Sequence, residues 1–412
     1  MIRPCRVLPR ALVAAALLSG TTAPALPVPA QAAVAAPVGE QAVVGAKADE
    51  PPALPTVTKG CVGESPTVAE SPPWAVRRMQ PSAVWPLTQG NGVLVAVIDS
   101  GVSAAATGLK GAVRSGTDVT QPGAGDRDCL GRGTALAGIV AARPITGSGF
   151  VGVAPGATIL PVRVATGKGE VTDDALAAGI RAATAAKADV ILIGFGTDTP
   201  TPGLRSAVRQ AISRDIVVVA AISGEKASGT AGPAPWYPAA DPDVLAVGGF
   251  DLKGVPTEVA PPSAGVDLLA PGAGAVSLAP RGPGHYSVNG PAVAAAYAAG
   301  AAALVRAYFP NLTQAQVRHR LELAAEHPLG TWPVAPVGYG TLDLYKAMTA
   351  VELSEATLPT QAPVLPVLPA VPPIDVRLVI AAAVAGAVIG LAGLVHLSMV
   401  TVRWGRRRRW RA

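Results

Sequence analysis

Histidine is scarce in this chain of 412 residues: there are 4, and none precedes His285. Everything upstream of His285 therefore lacks an imidazole for metal ligation or for taking a proton near neutral pH. Asp126, Asp128 and Cys129 cluster without one, so a solvated acidic loop is expected there, and no metal site. The Gly-rich stretch from Gly147 to Gly156 has no phosphate-loop lysine and reads as turns, and no cofactor is expected. Aromatic residues make up only 4% of a chain that is 50% hydrophobic, which predicts a core of Ala, Val and Leu rather than rings. The formal net charge of +6 is local: Arg403, Arg406, Arg407, Arg408, Arg409 and Arg411 crowd the last ten residues. Such basicity speaks about membrane topology, and no nucleic-acid partner is expected.

What the chain does have at its two ends is membrane-related. Arg3, Arg6 and Arg10 precede the apolar run from Ala11 to Leu18, and Ala30, Gln31 and Ala32 follow, the pattern of a removable secretory signal peptide over residues 1–33. That run is too short to span a bilayer, and Cys5 would be lost with it. Leu378 to Val400 is apolar apart from His396 and Ser398, long enough to cross a bilayer as one helix. The arginines behind it predict a cytoplasmic tail and an extracytoplasmic main domain. Trp404 and Trp410 suit an interfacial belt, and the tail suits anionic head groups. In an oxidising compartment the remaining cysteines, Cys61 and Cys129, are expected to form one disulfide; two buried free thiols are the alternative.

Between these ends the chain alternates strand-like and helix-like segments. Val93 to Val102, VLVAVIDSGV, reads as a buried parallel strand that delivers Asp99 to its C-terminal end, where sites of open α/β sheets lie. Strands are predicted at 159–164, 190–193, 216–221, 244–247 and 267–270, and helices at 172–186, 202–213 and 290–308. Thr313 with Gln316 is a capping-box pattern for a last helix to about Ala325. Right-handed crossovers then give a parallel sheet covered by helices on both faces. Residues 34–58 read as a poorly ordered Ala, Val and Pro extension, and Trp74, Arg77, Arg78, Met79 and Trp85 as anchors lying against the domain. The predicted division is a signal peptide (1–33), an N-terminal extension (34–91), an α/β domain (92–352), a Pro-rich linker (353–376), a transmembrane helix (377–402) and a basic tail (403–412).

Three local patterns occur in order on this sheet. Asp99-Ser100-Gly101 follows a strand, Gly131-Arg132-Gly133-Thr134 opens a helix, and Gly290-Pro291-Ala292 opens a later one. Together with Gly152-Val153-Ala154-Pro155-Gly156, Trp236-Tyr237-Pro238 and Asp267-Leu268-Leu269-Ala270-Pro271-Gly272, they resemble the subtilisin-like serine proteases from about Gly92 to Ala350. With the signal peptide, the Cys61 extension, the Pro-rich spacer and the tail anchor, the whole chain resembles a mycosin. Mycosins are membrane-anchored subtilases that accompany type VII secretion systems of actinobacteria.

The resemblance places Arg132 where the family has its catalytic histidine, and Ala292 where it has its serine. It also places Gly224, within Ile222-Ser223-Gly224, where the oxyanion asparagine stands. Arginine stays protonated and cannot serve as the base, and alanine has no nucleophile, so of the triad only Asp99 remains. Loss of an oxyanion donor alone typically costs about two to three orders of magnitude in rate. The expectation is a pseudoprotease whose Arg132 pairs with Asp99 in place of the dyad, with Arg132 turned to solvent as the alternative. The partners implied are proteins of the type VII secretion membrane complex, contacted as a stabilising component. Rival readings are an active endopeptidase, an improvised triad of Asp99 with the loop residues His285 and Ser287, and a module that binds a peptide without turnover along Gly194 to Gly196.

Overall fold

Runs of Val, Ile and Ala too apolar for a solvated face set the architecture. The computed structural model describes residues 50–57, 59–223, 235–257, 265–351 and 376–407. The strands are β1 (Leu94–Asp99), β2 (Thr117–Asp118), β3 (Thr158–Arg163), β4 (Val190–Ile193), β5 (Val217–Ala221), β6 (Leu245–Phe250), β7 (Leu268–Pro271), β8 (Ala275–Leu278) and β9 (His285–Val288). The helices are α1 (Trp74–Met79), α2 (Arg132–Ala141), α3 (Asp173–Ala185), α4 (Pro202–Ser213), α5 (Pro291–Tyr308), α6 (Gln314–Leu323), α7 (Leu344–Thr349) and α8 (Val376–Arg407). Seven strands form one parallel sheet in the order β2-β3-β1-β4-β5-β6-β7, and β8 and β9 form an antiparallel pair.

The two faces of β1 show how the layers are filled. Val95 and Val97 belong to the core that contains α2 and α5, whereas Leu94, Ala96 and Ile98 belong to the core that contains α3 and α4. All six strand residues are buried, as expected of a parallel strand covered on both faces. Small residues let α5 run deep inside: Ala292 through Val305 are buried without interruption, and Gly300 lies where a Cβ would come within 2.6 Å of Val153 Cβ. Thr313 and Gln316 form the capping box that their spacing predicts, at the start of α6.

The N-terminal extension differs from its expectation over the part described. Residues 50–57 are not loose: Ala53 bridges Ser287 in parallel, the Ser287 amide donates to Pro52 O at 2.8 Å, and the Leu54 amide donates to Ser287 O at 2.9 Å. Pairing with β9 supplies order that composition cannot reveal. Cys61 and Cys129 form the expected disulfide, beside a hydrogen bond from the Val62 amide to Cys129 O. Residues 34–49, the predicted signal segment, Gly224 and most of the Pro-rich linker lie outside the described residues.

The described residues fall into two compact units, one ending at Met348 and the other beginning at Thr349. In the second unit α8 contains a stretch, Ala382–Arg406, of mean hydropathy 2.0 that is long and apolar enough to cross a membrane.

Candidate functional site

Asp99 ends β1 and is fully buried, so its carboxylate needs compensation within the protein. Arg132, the first residue of α2, supplies it. Its Nη1 donates to Asp99 Oδ2 at 2.5 Å, and its Nη2 donates to Gly194 O at 2.6 Å. The guanidinium carbon lies 4.0 Å from the centroid of the Phe195 ring, a cation–π contact. Asp99 Oδ1 accepts the Ser100 amide at 2.8 Å. The expected Asp99–Arg132 pair is present, with the guanidinium also bonded to the backbone just after β4.

Two glycines make this geometry possible. A Cβ on Gly194 would stand 1.9 Å from Asp99 Oδ2, and one on Gly133 would stand 2.0 Å from Gly101 O. Side chains at either position would drive β1, β4 and the start of α2 apart.

The loop before α2 is not the solvated acidic loop that its composition suggests. Asp128 is buried and collects five donors: Oδ1 accepts Ser100 Oγ, the Leu130 amide and the Gly131 amide at 2.9, 3.0 and 2.9 Å, and Oδ2 accepts the Thr134 amide and hydroxyl at 2.8 and 2.7 Å. Burial nonetheless outweighs these bonds and pushes the carboxyl up to about 6. Ser100 Oγ also accepts the Gly133 amide at 3.0 Å, so Asp128 and Ser100 satisfy the otherwise unpaired amides at the start of α2. Nothing in the spacing of Ser100, Asp128 and Thr134 announces this network.

Ala292, the second residue of α5, is buried and lines a cavity of about 400 Å³ that Arg132 also lines. Leu54, Thr56 and Lys168 are also among its lining residues, so the N-terminal segment borders the site. His285 is not a loop residue. It starts β9, is buried, accepts the Ala69 amide on Nδ1 at 3.2 Å, and meets Ser148 Oγ through Nε2 at 3.3 Å. Burial pulls its imidazole down to about 4. Both ring nitrogens are thus engaged by partners other than Asp99 and Ser287. Ser287 lines the cavity while its backbone carries the N-terminal strand. Among the described residues no group of three or more His, Cys, Asp or Glu is placed to hold a metal ion.

The site as built can hold a carboxylate and a guanidinium in a fixed, mutually neutralising pair.

A sequence model of the Subtilase family matches residues 90–345. The chain is 34% identical over 325 residues to Mycosin-4 of Mycobacterium tuberculosis, covering 68% of this chain and 70% of that protein. Its fold is similar to that of MycP1, described as a serine protease and essential component of the type VII (ESX-1) secretion system. The TM-score is 0.61 at 28% identity, over 73% of this chain and 96% of MycP1. It is also similar to a chain in the periplasmic assembly from the ESX-5 inner membrane complex, with a TM-score of 0.63 at 27% identity over 78% of this chain and 95% of that one.

Proposed function

The chain belongs to the subtilase family and, within it, to the mycosins, and on that premise we propose that it is a non-hydrolytic member acting as a structural component of a type VII secretion membrane complex. One observation carries the non-hydrolytic part. The guanidinium of Arg132 fills the space beside Asp99 and is bonded to both Asp99 Oδ2 and Gly194 O. A histidine there could cycle between neutral and charged forms; arginine stays protonated, so the acid orients a cation that can accept nothing. Ala292, at the position of the family's nucleophile, has no group to attack a carbonyl. In this reading Asp99 is kept for the ion pair, and Gly224 stands in the place of the oxyanion donor.

The assembly part rests on what MycP1 and the ESX-5 neighbour are described as belonging to. The hydropathy of Ala382–Arg406 supports anchoring through α8, with the arginine tail cytoplasmic and the subtilase domain outside.

The test is hydrolysis by the purified full chain in detergent. Neither cleavage of a peptide library nor labelling by a serine-directed fluorophosphonate is expected. Cleavage that is abolished by Asp99→Ala would make the chain an active endopeptidase, and retention of a library peptide without cleavage would favour the peptide-binding reading. For the assembly role, cells lacking the chain should yield less intact type VII membrane complex, and unchanged recovery would remove it.

A further inference from the structure

A second concave site lies at the C-terminal end of β6, three strand positions from β1 along the same sheet. It is a pocket of about 400 Å³ between α1 and the loop after β6. Trp74 and Phe250 form its apolar part, with ring centroids 6.0 Å apart in an edge-on arrangement. The indole is fixed from behind, its Nε1 donating to Gly274 O at 2.7 Å. Arg78 makes one wall: it lies 6.0 Å from the Phe250 centroid and is already paired with Glu326 and bonded to Thr341 Oγ1.

Two further cations flank the pocket, Arg77 on α1 and Lys253 on the loop, both exposed. Neither has a carboxylate partner among the described residues. Among the described residues, Glu326 is engaged by Arg78, and Asp251 Oδ1 by the amides of Lys253 and Val255 at 2.9 Å each. Those bonds, with the Asp251 amide donating to Val255 O at 2.9 Å, make the loop a defined turn. It nevertheless holds Leu252 70% and Val255 54% exposed. A defined turn that presents two aliphatic side chains to water beside two aromatic rings is a composition typical of contact surfaces, where aromatic residues and Arg are enriched.

We propose that this pocket docks an acidic segment of a partner protein, which places an apolar side chain against Trp74, Phe250 and Leu252 and its carboxylates on Arg77 and Lys253. Charge complementarity selects this occupant, because among the described residues no carboxylate lines the pocket, while Arg77 and Lys253 do, beside the Glu326-paired Arg78. Two unpaired cations around a concave aromatic floor differ from the clusters of about four to eight Lys and Arg that read as sites for anionic lipid. The surface shares no lining residue with the Arg132 cavity, so it stands whether or not the chain hydrolyses peptides.

The experiment uses the full chain in detergent and a fluorescently labelled synthetic peptide of alternating Glu and Phe, read by anisotropy at low and at physiological salt. Binding is expected, and it should weaken when salt rises or when Gln replaces the Glu residues of the peptide. The double variant Arg77→Glu with Lys253→Glu should lose at least tenfold in affinity, and Leu252→Ser should lose several-fold, with unchanged melting temperatures because all three side chains are exposed. No binding, or equal binding by the charge-reversed chain, would overturn the proposal. So would a chain that ignores the peptide but binds phosphatidylglycerol vesicles through Arg77 and Lys253. Peptide anisotropy and library cleavage are read on the same parent chain at pockets that share no residue, so failure here is distinguishable from failure of the proposed non-hydrolytic role.

Discussion

Two buried carboxylates meet the first turn of α2, and they are compensated in opposite ways. Asp99 is matched by a full positive charge, the guanidinium of Arg132, whereas Asp128 is matched only by neutral donors. Five hydrogen bonds do not replace an ion: burial still raises the Asp128 carboxyl to about 6. The difference teaches what an acid at the end of β1 requires. A buried carboxylate needs a cation or a web of donors around it, and Asp99 and Asp128 take the two routes side by side.

The comparison breaks most visibly at Arg132. Removing one partner of a buried pair leaves the other charge uncompensated, and such changes typically cost about 3 to 5 kcal/mol. Arg132→Ala should therefore lower the urea midpoint far more than a surface arginine change, and Arg132→Lys, which loses the fork that spans Asp99 and Gly194, should fall between. An Arg132→Ala protein as stable as the parent would mean that the ion pair contributes nothing net. A smaller effect is expected at the neutral cage. Asp128→Asn keeps one acceptor oxygen but turns an amide NH2 toward donors, which should destabilise by about 1 to 3 kcal/mol. A loss at Asp128 that matched the loss at Arg132 would erase the distinction between ionic and dipolar compensation.

The smallest effect is one of pH. Asp128 and Asp267 are both raised to about 6, Asp267 chiefly by burial, so the folded state holds their protons more tightly than the unfolded chain does. Their contribution is fully present below the ordinary carboxyl value of 3.8 and is lost as pH rises through about 6. His285 runs the other way. Its ring is held neutral down to about 4, so its contribution is whole above 6.5 and drains as pH falls toward 4. His285→Gln should accordingly shrink the stability lost between about pH 7 and about pH 4.5, and urea midpoints across that range decide it. An unchanged profile would assign the acid-side loss to other groups.

Much of the sheet is legible in the sequence because buried parallel strands announce themselves by uninterrupted Val, Ile and Ala. Val190–Ile193 and Pro202–Ser213 coincide with their predicted bounds, β5 and α5 differ from theirs by one residue at one end, and β3 and α3 by one residue at both ends. The pairing of Asp99 with Arg132 was also legible, since a stranded acid beside a helix that begins with arginine has few other outcomes. The backbone carbonyl of Gly194 and the face of Phe195 were not, because their approach to Arg132 depends on the register of β4 against β1. His285 was misplaced for a similar reason. Four residues, HYSV, are too short to show a period, and only pairing with β8 and burial against Phe150 turn them into a strand. Asp128 reads as a loop acid because a carboxylate gives no sign of how many amides will converge on it.

The strand pairing at Ser287 also sets a threshold for competition. Its amide and carbonyl are occupied by Pro52 and Leu54, and that same segment is tied back to the domain through Cys61 and Cys129. A strand tethered so close acts as an intramolecular ligand, with an effective concentration on the order of millimolar. Any free chain seeking the backbone of Ser287 must outbid that local concentration before its own contacts count.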